Sequence, residues 1–284
     1  MVATPWKSRL TALWLVATLS LWPLAARAAL QFRAVRVSHP LALTGRLDDP
    51  AWQLAPPATE AFQAYPHASA LSPYPMQVRV LYDDRYLYIG IQADDPHPEL
   101  IREHYERRDR LFSPNSDDVL MLYLDALDTG RSAQMFAVDL HDSQLDGDWR
   151  EDSQSEDYSP DFNWRAVSAH NARGWSTVIR IPYTSLRYRP GPHQTWKLIV
   201  ARNVIRENFY WIVSTKLPAG YNCLLCYAGD LVLDDFPDNV QHHSLSLIPE
   251  VTFTHDADHG DFGTDSRNHT NLGGYLSWQP TAGT

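Results

Sequence analysis

The chain has 284 residues, and its composition already excludes some classes of protein. The length suits one large domain, or one domain and part of a second. The formal net charge is −10, which argues against a nucleic-acid-binding protein, because phosphate binding needs a basic surface.

The N-terminal segment, residues 1–28, has the pattern of a secretory signal peptide. Lys7 and Arg9 precede an apolar stretch of secretory length, and residues 26–28 fit a small-residue cleavage site. Cleavage before Ala29 removes three basic residues and no acid, which moves the net charge from −10 to −13. The alternative is an uncleaved membrane anchor, although the stretch is short for a spanning helix.

The remaining chain is rich in Tyr, Trp and Val, with scattered Pro and Gly, which favours β-strands. The acidic turn at 83–85 indicates a hairpin. We predict an all-β fold, an antiparallel, jelly-roll-like β-sandwich with one or two short helices, one of them at 98–111. Nine runs have strand character: 76–83, 86–93, 119–126, 133–140, 163–170, 174–182, 196–204, 209–215 and 229–235.

A change of pattern near residues 236–243 predicts a domain boundary. We assign residues 29–240 to the sandwich. Residues 241–284 alternate polar and apolar side chains around a polar turn. They are predicted to form a β-hairpin-like tail, or the start of a truncated β-barrel region.

The two cysteines, Cys223 and Cys226, form a C-x-x-C pair. Such a pair can be a redox motif, half of a zinc site or a local disulfide. No second C-x-x-C pair and no strand-to-helix context accompanies it. In an oxidising compartment a local disulfide is the predicted outcome.

The segment 143–162 is acidic and rich in turn residues, so we predict a long functional or flexible loop there. It contains "LDGDWRED", which lacks the spacing and the terminal glutamate of an EF-hand. Calcium takes carboxylate and carbonyl oxygens from irregular backbone, and the candidate ligands are Asp146, Asp148 and Asp152. The alternative is that these acids are simply solvated.

We predict no enzymatic activity. The sequence contains no metalloprotease helix motif, nucleophile elbow, phosphate loop or dinucleotide fingerprint. Its many paired acids are adjacent in sequence, and on a strand adjacent side chains point to opposite faces. Such pairs cannot supply the two facing carboxylates that a glycosidase needs.

Tryptophans are the main candidates for ligand contact, because a flat indole packs on the apolar face of a sugar ring. Trp149 and Trp164 flank the acidic segment and, with Tyr158, are predicted to be exposed. Trp175 and Trp211 lie within strand-like runs and are predicted to be in the core.

Trp52 ends the stretch "GRLDDPAW", where two aspartates favour a turn and Pro50 fixes its backbone. The indole is either a ligand platform or part of the core. We predict that it is buried and seals one end of the core, because a buried indole removes a large apolar area from water.

Ordered motifs carry a resemblance to a known family. The sequence resembles the family 9 carbohydrate-binding modules over roughly residues 35–235. It is most similar to modules of this kind at the N-terminus of large bacterial outer-membrane proteins, where a transmembrane β-barrel follows, and residues 244–284 resemble the first barrel hairpin. The motifs are "LTGRLDDPAW", "VRVLYDDRYLYIGIQADDPHPELI", "RRDRLFSPNSDDVLMLYLDALDTGRSAQMFAVD", "FNWRAV" and "GWSTVIRIPYTSLRY".

This resemblance implies a β-sandwich that binds an oligo- or polysaccharide through aromatic rings, holds structural Ca²⁺ and performs no catalysis. It implies an exported protein in the periplasm or outer membrane of a Gram-negative bacterium, with a link to polysaccharide catabolism. The candidate sugar-binding residues are Trp149, Trp164 and Tyr158 for stacking, and Arg108, Asp109 and Asp118 for polar contacts.

Three positions depart from the family pattern. Val178 stands where relatives have glutamate, Ser168 where they often have tryptophan, and Asp139 where they have asparagine. These departures favour an alternative function, a structural periplasmic plug or docking domain of an outer-membrane barrel with no sugar ligand.

Overall fold

The computed structural model describes residues 30–111, 117–237, 244–260 and 263–279, so the predicted signal peptide and most of the predicted boundary lie outside it. No helix in these ranges is long and apolar enough to cross a membrane. The described residues form fifteen strands: β1 (Gln31–Arg36), β2 (Phe62–Tyr65), β3 (Met76–Tyr82), β4 (Tyr86–Asp94), β5 (Val119–Asp125), β6 (Ser132–Val138), β7 (Gln144–Arg150), β8 (Ser155–Asp157), β9 (Arg165–Asn171), β10 (Gly174–Pro182), β11 (Gln194–Ile205), β12 (Phe209–Val213), β13 (Gly229–Leu233), β14 (Ser244–Gly260) and β15 (Gly263–Gln279).

The first thirteen strands form two sheets joined by β1. The first sheet has the order β8-β7-β6-β5-β11-β13, with β12 also paired to β11 and β2 paired to β12. The second sheet has the order β3-β4-β10-β9. Residues 31–33 pair in parallel with β13 and residues 34–36 pair in parallel with β3, while the other strand pairs are antiparallel. The predicted β-sandwich is confirmed, with β1 as a parallel strand that crosses between its layers.

Apolar residues fill three layers, because successive side chains of a strand point to opposite faces. The inner core between the sheets takes residues from both, such as Leu122 of β5 and Ile89 of β4. The outer face of the first sheet carries a second cluster that includes Met121 and Ala201. The outer face of the second sheet carries a third cluster around Tyr88.

Strands β14 and β15 are 17 residues each and form a separate two-stranded antiparallel sheet. This pairing confirms the predicted hairpin. Where its side chains are described, Val251, Phe253 and Leu272 are exposed.

Two local predictions were wrong. Residues 98–111 do not form an α-helix, because only Pro98–Leu100 make a 3-10 turn and the chain then runs without regular structure to residue 107. Leu100 and Tyr105 are exposed, so no apolar face is buried to stabilise a helix. The predicted loop at 143–162 contains strands β7 and β8 instead.

Trp52 is buried, as predicted, but it lies in the third cluster and not at one end of the inner core. The indole is 1% exposed and packs with Val178, Leu81 and Tyr88 on the outer face of the second sheet, under the segment that follows β1. Gly90 of β4 makes room for it, since a Cβ there would lie 2.8 Å from the indole ring. Trp52 therefore pins a covering segment to the sheet and does not seal an end of the inner core.

Trp52→Ala should lower the free energy of unfolding by roughly 3–5 kcal/mol, because it opens a cavity beneath the covering segment. Denaturant unfolding followed by tryptophan fluorescence measures the change. Leu54→Ala is the control, because Leu54 lies in the same 3-10 turn and is 64% exposed. Equal stabilities of the two variants would contradict the assignment.

A buried charge network closes one end of the sandwich. The side chains of Asp95, Asp118 and Arg202 are fully buried, and that of Arg206 is 8% exposed. Arg206 donates to Asp118 at 2.6 Å, and Arg202 lies 3.4 Å from Asp95 and 3.5 Å from Asp118. Burial raises the pKa of Asp118, and the hydrogen bond from Arg206 opposes this rise. The network joins the end of β4 to β11 and to the start of β5, and therefore ties the two sheets together.

Arg202→Met should cost about 3–5 kcal/mol of unfolding free energy, since it leaves a buried negative charge without compensation. Urea unfolding of the variant and the wild type measures the difference. Arg150→Met is the control, because the Arg150–Asp152 pair is exposed and its loss should leave stability unchanged. If Arg202→Met lowers the unfolding free energy by less than about 1 kcal/mol, the prediction is wrong, and the remaining charged side chains must then reach water in the variant.

Candidate functional site

The outer face of the first sheet carries the largest group of aromatic side chains outside the inner core. Residues of β5, β6, β7 and β11 line its centre, and Leu217, Leu224 and Leu225 of the loop before β13 cover it. We use the name aromatic belt for seven side chains on or beside this face: Tyr65, Tyr123, Trp149, Tyr158, Phe209, Trp211 and Tyr221.

One end of the aromatic belt is built around Trp149 of β7. Its ring meets that of Tyr123 edge to face, with centroids 5.8 Å apart. Tyr123 donates to Glu156 at 3.3 Å, and Tyr158 donates to the other oxygen of the same carboxylate. Trp149 is half-buried and Tyr158 is 37% exposed, so both present ring surface to solvent.

Glu151 links this end to the covering loop. Its carboxylate accepts hydrogen bonds from Trp149 Nε1 at 2.9 Å and from the backbone N–H groups of Leu224 and Leu225 at 2.7 and 3.0 Å. The same loop contains the Cys223–Cys226 disulfide, which confirms the predicted local pairing. These contacts fix the loop that carries Tyr221.

The other end is formed by strands β12 and β2. Trp211 lies 6.3 Å from Tyr221, and Tyr65 lies 5.9 Å from Phe209, measured between ring centroids. Trp211 and Tyr65 are opposed in the β12–β2 register, and Phe209 shares a face with Trp211 because the two are separated by one residue. Tyr65 and Phe209 are 55% and 38% exposed.

The electrostatics of the aromatic belt favour neutral hydroxyl donors beside carboxylate acceptors. Burial is the main cause that raises the pKa of Tyr123, Tyr158 and Tyr221 above the usual value. These phenols therefore stay protonated at physiological pH. The carboxylates of Glu151 and Glu156 and the phenol of Tyr221 lie beside apolar rings, a combination that suits a polyhydroxylated ring compound.

Trp164 is not exposed, contrary to the prediction. It is 3% exposed, its ring meets Phe136 edge to face at 5.3 Å, and its Nε1 donates to Asp146 at 3.1 Å. The indole belongs to the inner core, on the opposite side of the first sheet from the aromatic belt. Trp175 is buried as predicted, whereas Trp211 is half-buried beside the outer cluster.

The predicted polar residues are not part of the aromatic belt. Arg108 donates to Asp146 at 2.5 Å and to Asp161 at 2.9 Å, so it holds the segment before β9. Asp109 is exposed beside it. Asp118 is buried in the charge network with Arg206 and cannot reach a ligand.

The three predicted calcium ligands do not fit a metal ion. Asp146 is fully buried and bound by Arg108, Asp148 pairs with Arg187 at 2.8 Å, and Asp152 with Arg150 at 3.4 Å. Each carboxylate thus has its own arginine partner. Within the described ranges, no three His, Cys, Asp or Glu side chains are grouped to hold a metal.

The sequence did not predict most of the residues that form the β12–β2 end of the aromatic belt. The alternation Phe209-Tyr210-Trp211 could have indicated two aromatic rings on one face of a strand. Nothing in the sequence pattern indicated that β2, with Tyr65, pairs with that strand. Tyr221 lies in an irregular loop and has no periodic signal.

Comparison with known proteins shows the fold. No protein-family model matches the chain, and no curated protein matches it in sequence. The chain is similar to a family 9 carbohydrate-binding module from Caldicellulosiruptor kristjanssonii in complex with cellotriose, with a TM-score of 0.51 and 14% identity over 74% of this chain and 97% of that chain. A structure of a family 9 module from the same organism in complex with glucose gives a TM-score of 0.51 and 15% identity over 73% and 98%. The chain therefore has the fold of the family 9 carbohydrate-binding modules, as the sequence motifs predicted.

Proposed function

We propose that the protein is a non-catalytic carbohydrate-binding domain that holds sugar rings against the aromatic belt. The observation that carries this proposal is the set of rings on one face of the first sheet, all partly exposed except the buried Tyr123, flanked by hydrogen-bonding groups. Aromatic faces pack on the apolar face of a sugar, and the phenols and carboxylates at their edges match its hydroxyls.

The state of the two carboxylates supports binding rather than catalysis. Glu151 accepts three hydrogen bonds from the protein, and Glu156 accepts two. A general acid must instead be free to give a proton to the leaving group. Both glutamates therefore position the covering loop and the tyrosine hydroxyls.

Cello-oligosaccharides are the ligands to test first. The similar structures hold cellotriose and glucose, and the likeness to them lies in the fold. The presence of rings at both ends of this face also favours an oligosaccharide over a single sugar, because different units of one chain can stack on different rings. The two exposed residues Tyr65 and Phe209 provide the most accessible stacking surface.

The double variant Tyr65→Ala/Phe209→Ala and the single variant Trp149→Ala should each bind cellotriose roughly tenfold more weakly or worse, since each removes a stacking surface. Isothermal titration calorimetry on the full chain measures the change. Tyr105→Ala is the control, because Tyr105 is 77% exposed and lies outside the aromatic belt. Melting temperatures establish that each variant is folded.

Unchanged cellotriose affinity in both belt variants, with melting intact, would exclude the aromatic belt as the binding surface. Equal losses in Tyr105→Ala would also contradict the proposal, because they would show an effect that is not specific to the aromatic belt.

We also propose that the domain is exported to the periplasm or outer membrane. The signal-like pattern at 1–28 and the Cys223–Cys226 disulfide support this location, because disulfides persist in oxidising compartments. Mass spectrometry of the protein purified from a periplasmic extract of an expressing Gram-negative host should give a chain that begins at Ala29. A chain that keeps residues 1–28, or that stays in the cytoplasm, would contradict the proposal.

A further inference from the structure

The second sheet has a ligand-sized cleft that is separate from the aromatic belt. Its volume is about 790 Å³, within the range of small-molecule sites. It lies between residues 36–40, which begin at the last residue of β1, and residues 83–86, which run from the β3–β4 turn to the first residue of β4, with Arg180 of β10 on its wall. The aromatic belt lies on the first sheet, so the two surfaces belong to different layers of the sandwich.

Two of the arginines that line this cleft, Arg85 and Arg180, have no carboxylate partner in the described structure. The guanidinium of Arg180 lies over the ring of Tyr86, 4.8 Å from its centroid, which holds it in place. Arg165 does not line the cleft, but it is opposed to Arg180 in the β9–β10 register, on the same face of the sheet. Arg85 is exposed at the β3–β4 turn. Within the part of the chain that the structure describes, none of these three arginines forms an ion pair.

The Arg165–Arg180 pair places two positive charges on neighbouring strands beside the cleft. Like charges directly opposed on neighbouring strands destabilise a sheet. The chain as a whole is acidic, with a net charge of −10, so acids to neutralise the two arginines are plentiful elsewhere. Arg165 and Arg180 are instead opposed in the register, and neither forms an ion pair in the described structure. An anion from outside the chain would relieve their repulsion.

The acids of the cleft are already engaged. Asp83 is 5% exposed, and its carboxylate accepts from the backbone N–H groups of Arg85 and Tyr86 at 2.7 and 2.8 Å and from the hydroxyl of Tyr88 at 2.8 Å. Asp83 therefore fixes the turn. Asp84 pairs with Arg36 at 2.5 Å.

The hydrogen bond from Arg36 to Asp84 is the main cause that raises the pKa of the Arg36 guanidinium, and the negative charge of Asp235 adds to this rise. The negative charges near the cleft are therefore directed at Arg36 or at the turn. Arg85 and Arg180 keep their donors for a ligand.

We propose that this cleft binds the carboxylate of an acidic sugar, such as a uronic acid unit of an oligosaccharide. A guanidinium fork binds a carboxylate through two parallel hydrogen bonds, which gives direction as well as charge. The carboxylate follows from the arginines of the cleft, whereas the choice of a sugar as its carrier rests on the proposed function. The ring and hydroxyls of that sugar fill the remaining volume.

The test is calorimetric titration of the full chain with trigalacturonate, with cellotriose as the neutral comparison and inorganic sulfate as an anion without a sugar. The variants are Arg180→Gln and Arg85→Gln, and each should weaken trigalacturonate binding roughly tenfold or more. Cellotriose affinity should not change in either. Added salt should weaken trigalacturonate binding and leave cellotriose binding unaffected.

Arg131→Gln is the matched control, since Arg131 is an exposed arginine in the β5–β6 turn of the first sheet and the charge change is the same. Arg85 is also exposed, so Arg85→Gln tests the cleft even if Arg180→Gln is poorly folded. Arg180→Lys keeps the charge without the fork, and its affinity should lie between those of the wild type and Arg180→Gln.

Three results would overturn the proposal. The first is no binding of trigalacturonate by the wild type, and the second is binding that survives in both glutamine variants. The third is binding of sulfate as tight as that of trigalacturonate, which would show a general anion site. If the wild type binds trigalacturonate but not cellotriose, the result counts against the aromatic belt and not against the cleft. The two proposals therefore fail separately.

Discussion

The contact of Arg202 with Asp95 and Asp118 sets the position of the two sheets relative to each other. The guanidinium also donates to the backbone oxygen of Asp94 at 2.6 Å, so one side chain of β11 reaches the last residue of β4 in the opposite sheet. Burial of these charges is costly unless they stay paired, and that cost makes other arrangements of the sheets unfavourable. The network thereby fixes the position of β11. Strand β11 in turn pairs with β12, which carries Phe209 and Trp211 of the aromatic belt.

Strands with two buried faces limit what a sequence can reveal. Every residue of β5 is buried, because one face lies in the inner core and the other under the covering loop. Such a strand has a continuous apolar pattern, which correctly predicted a strand but could not indicate which face is functional. The aromatic belt becomes visible only when the pairing of β12 with β2 is known.

Charge partners from distant parts of the chain explain the misread segment at 143–162. Asp146 and Asp148 made it look like a solvated loop or a calcium site, yet both sit on β7. Asp146 is neutralised by Arg108, 38 residues earlier, and Asp148 by Arg187, 39 residues later. No local pattern predicts partners at such separations, whereas the short C-x-x-C spacing allowed the disulfide to be predicted.

The positions that depart from the family pattern have roles in packing. Val178 is fully buried against Trp52 in the outer cluster of the second sheet. Ser168 donates to the backbone oxygen of Asp139 at 2.8 Å, and Asp139 is buried and accepts the N–H groups of His141 and Ser143. A glutamate at position 178 or a tryptophan at position 168 would disturb these contacts. The departures therefore follow from local packing in this chain and do not count against a ligand on the first sheet.

Each outer face of the sandwich is covered at its centre and open at its margin. On the first sheet the loop held by Glu151 and by the disulfide covers the aliphatic side chains at the centre and leaves the aromatic rings at the margin. On the second sheet the segment pinned by Trp52 covers the centre and leaves the arginine-lined cleft beyond it. The covering segments thus determine what each face presents to solvent, aromatic surface on one and positive charge on the other. Since both segments are held by a few specific contacts, those contacts control the shape of the two proposed ligand surfaces as well as stability.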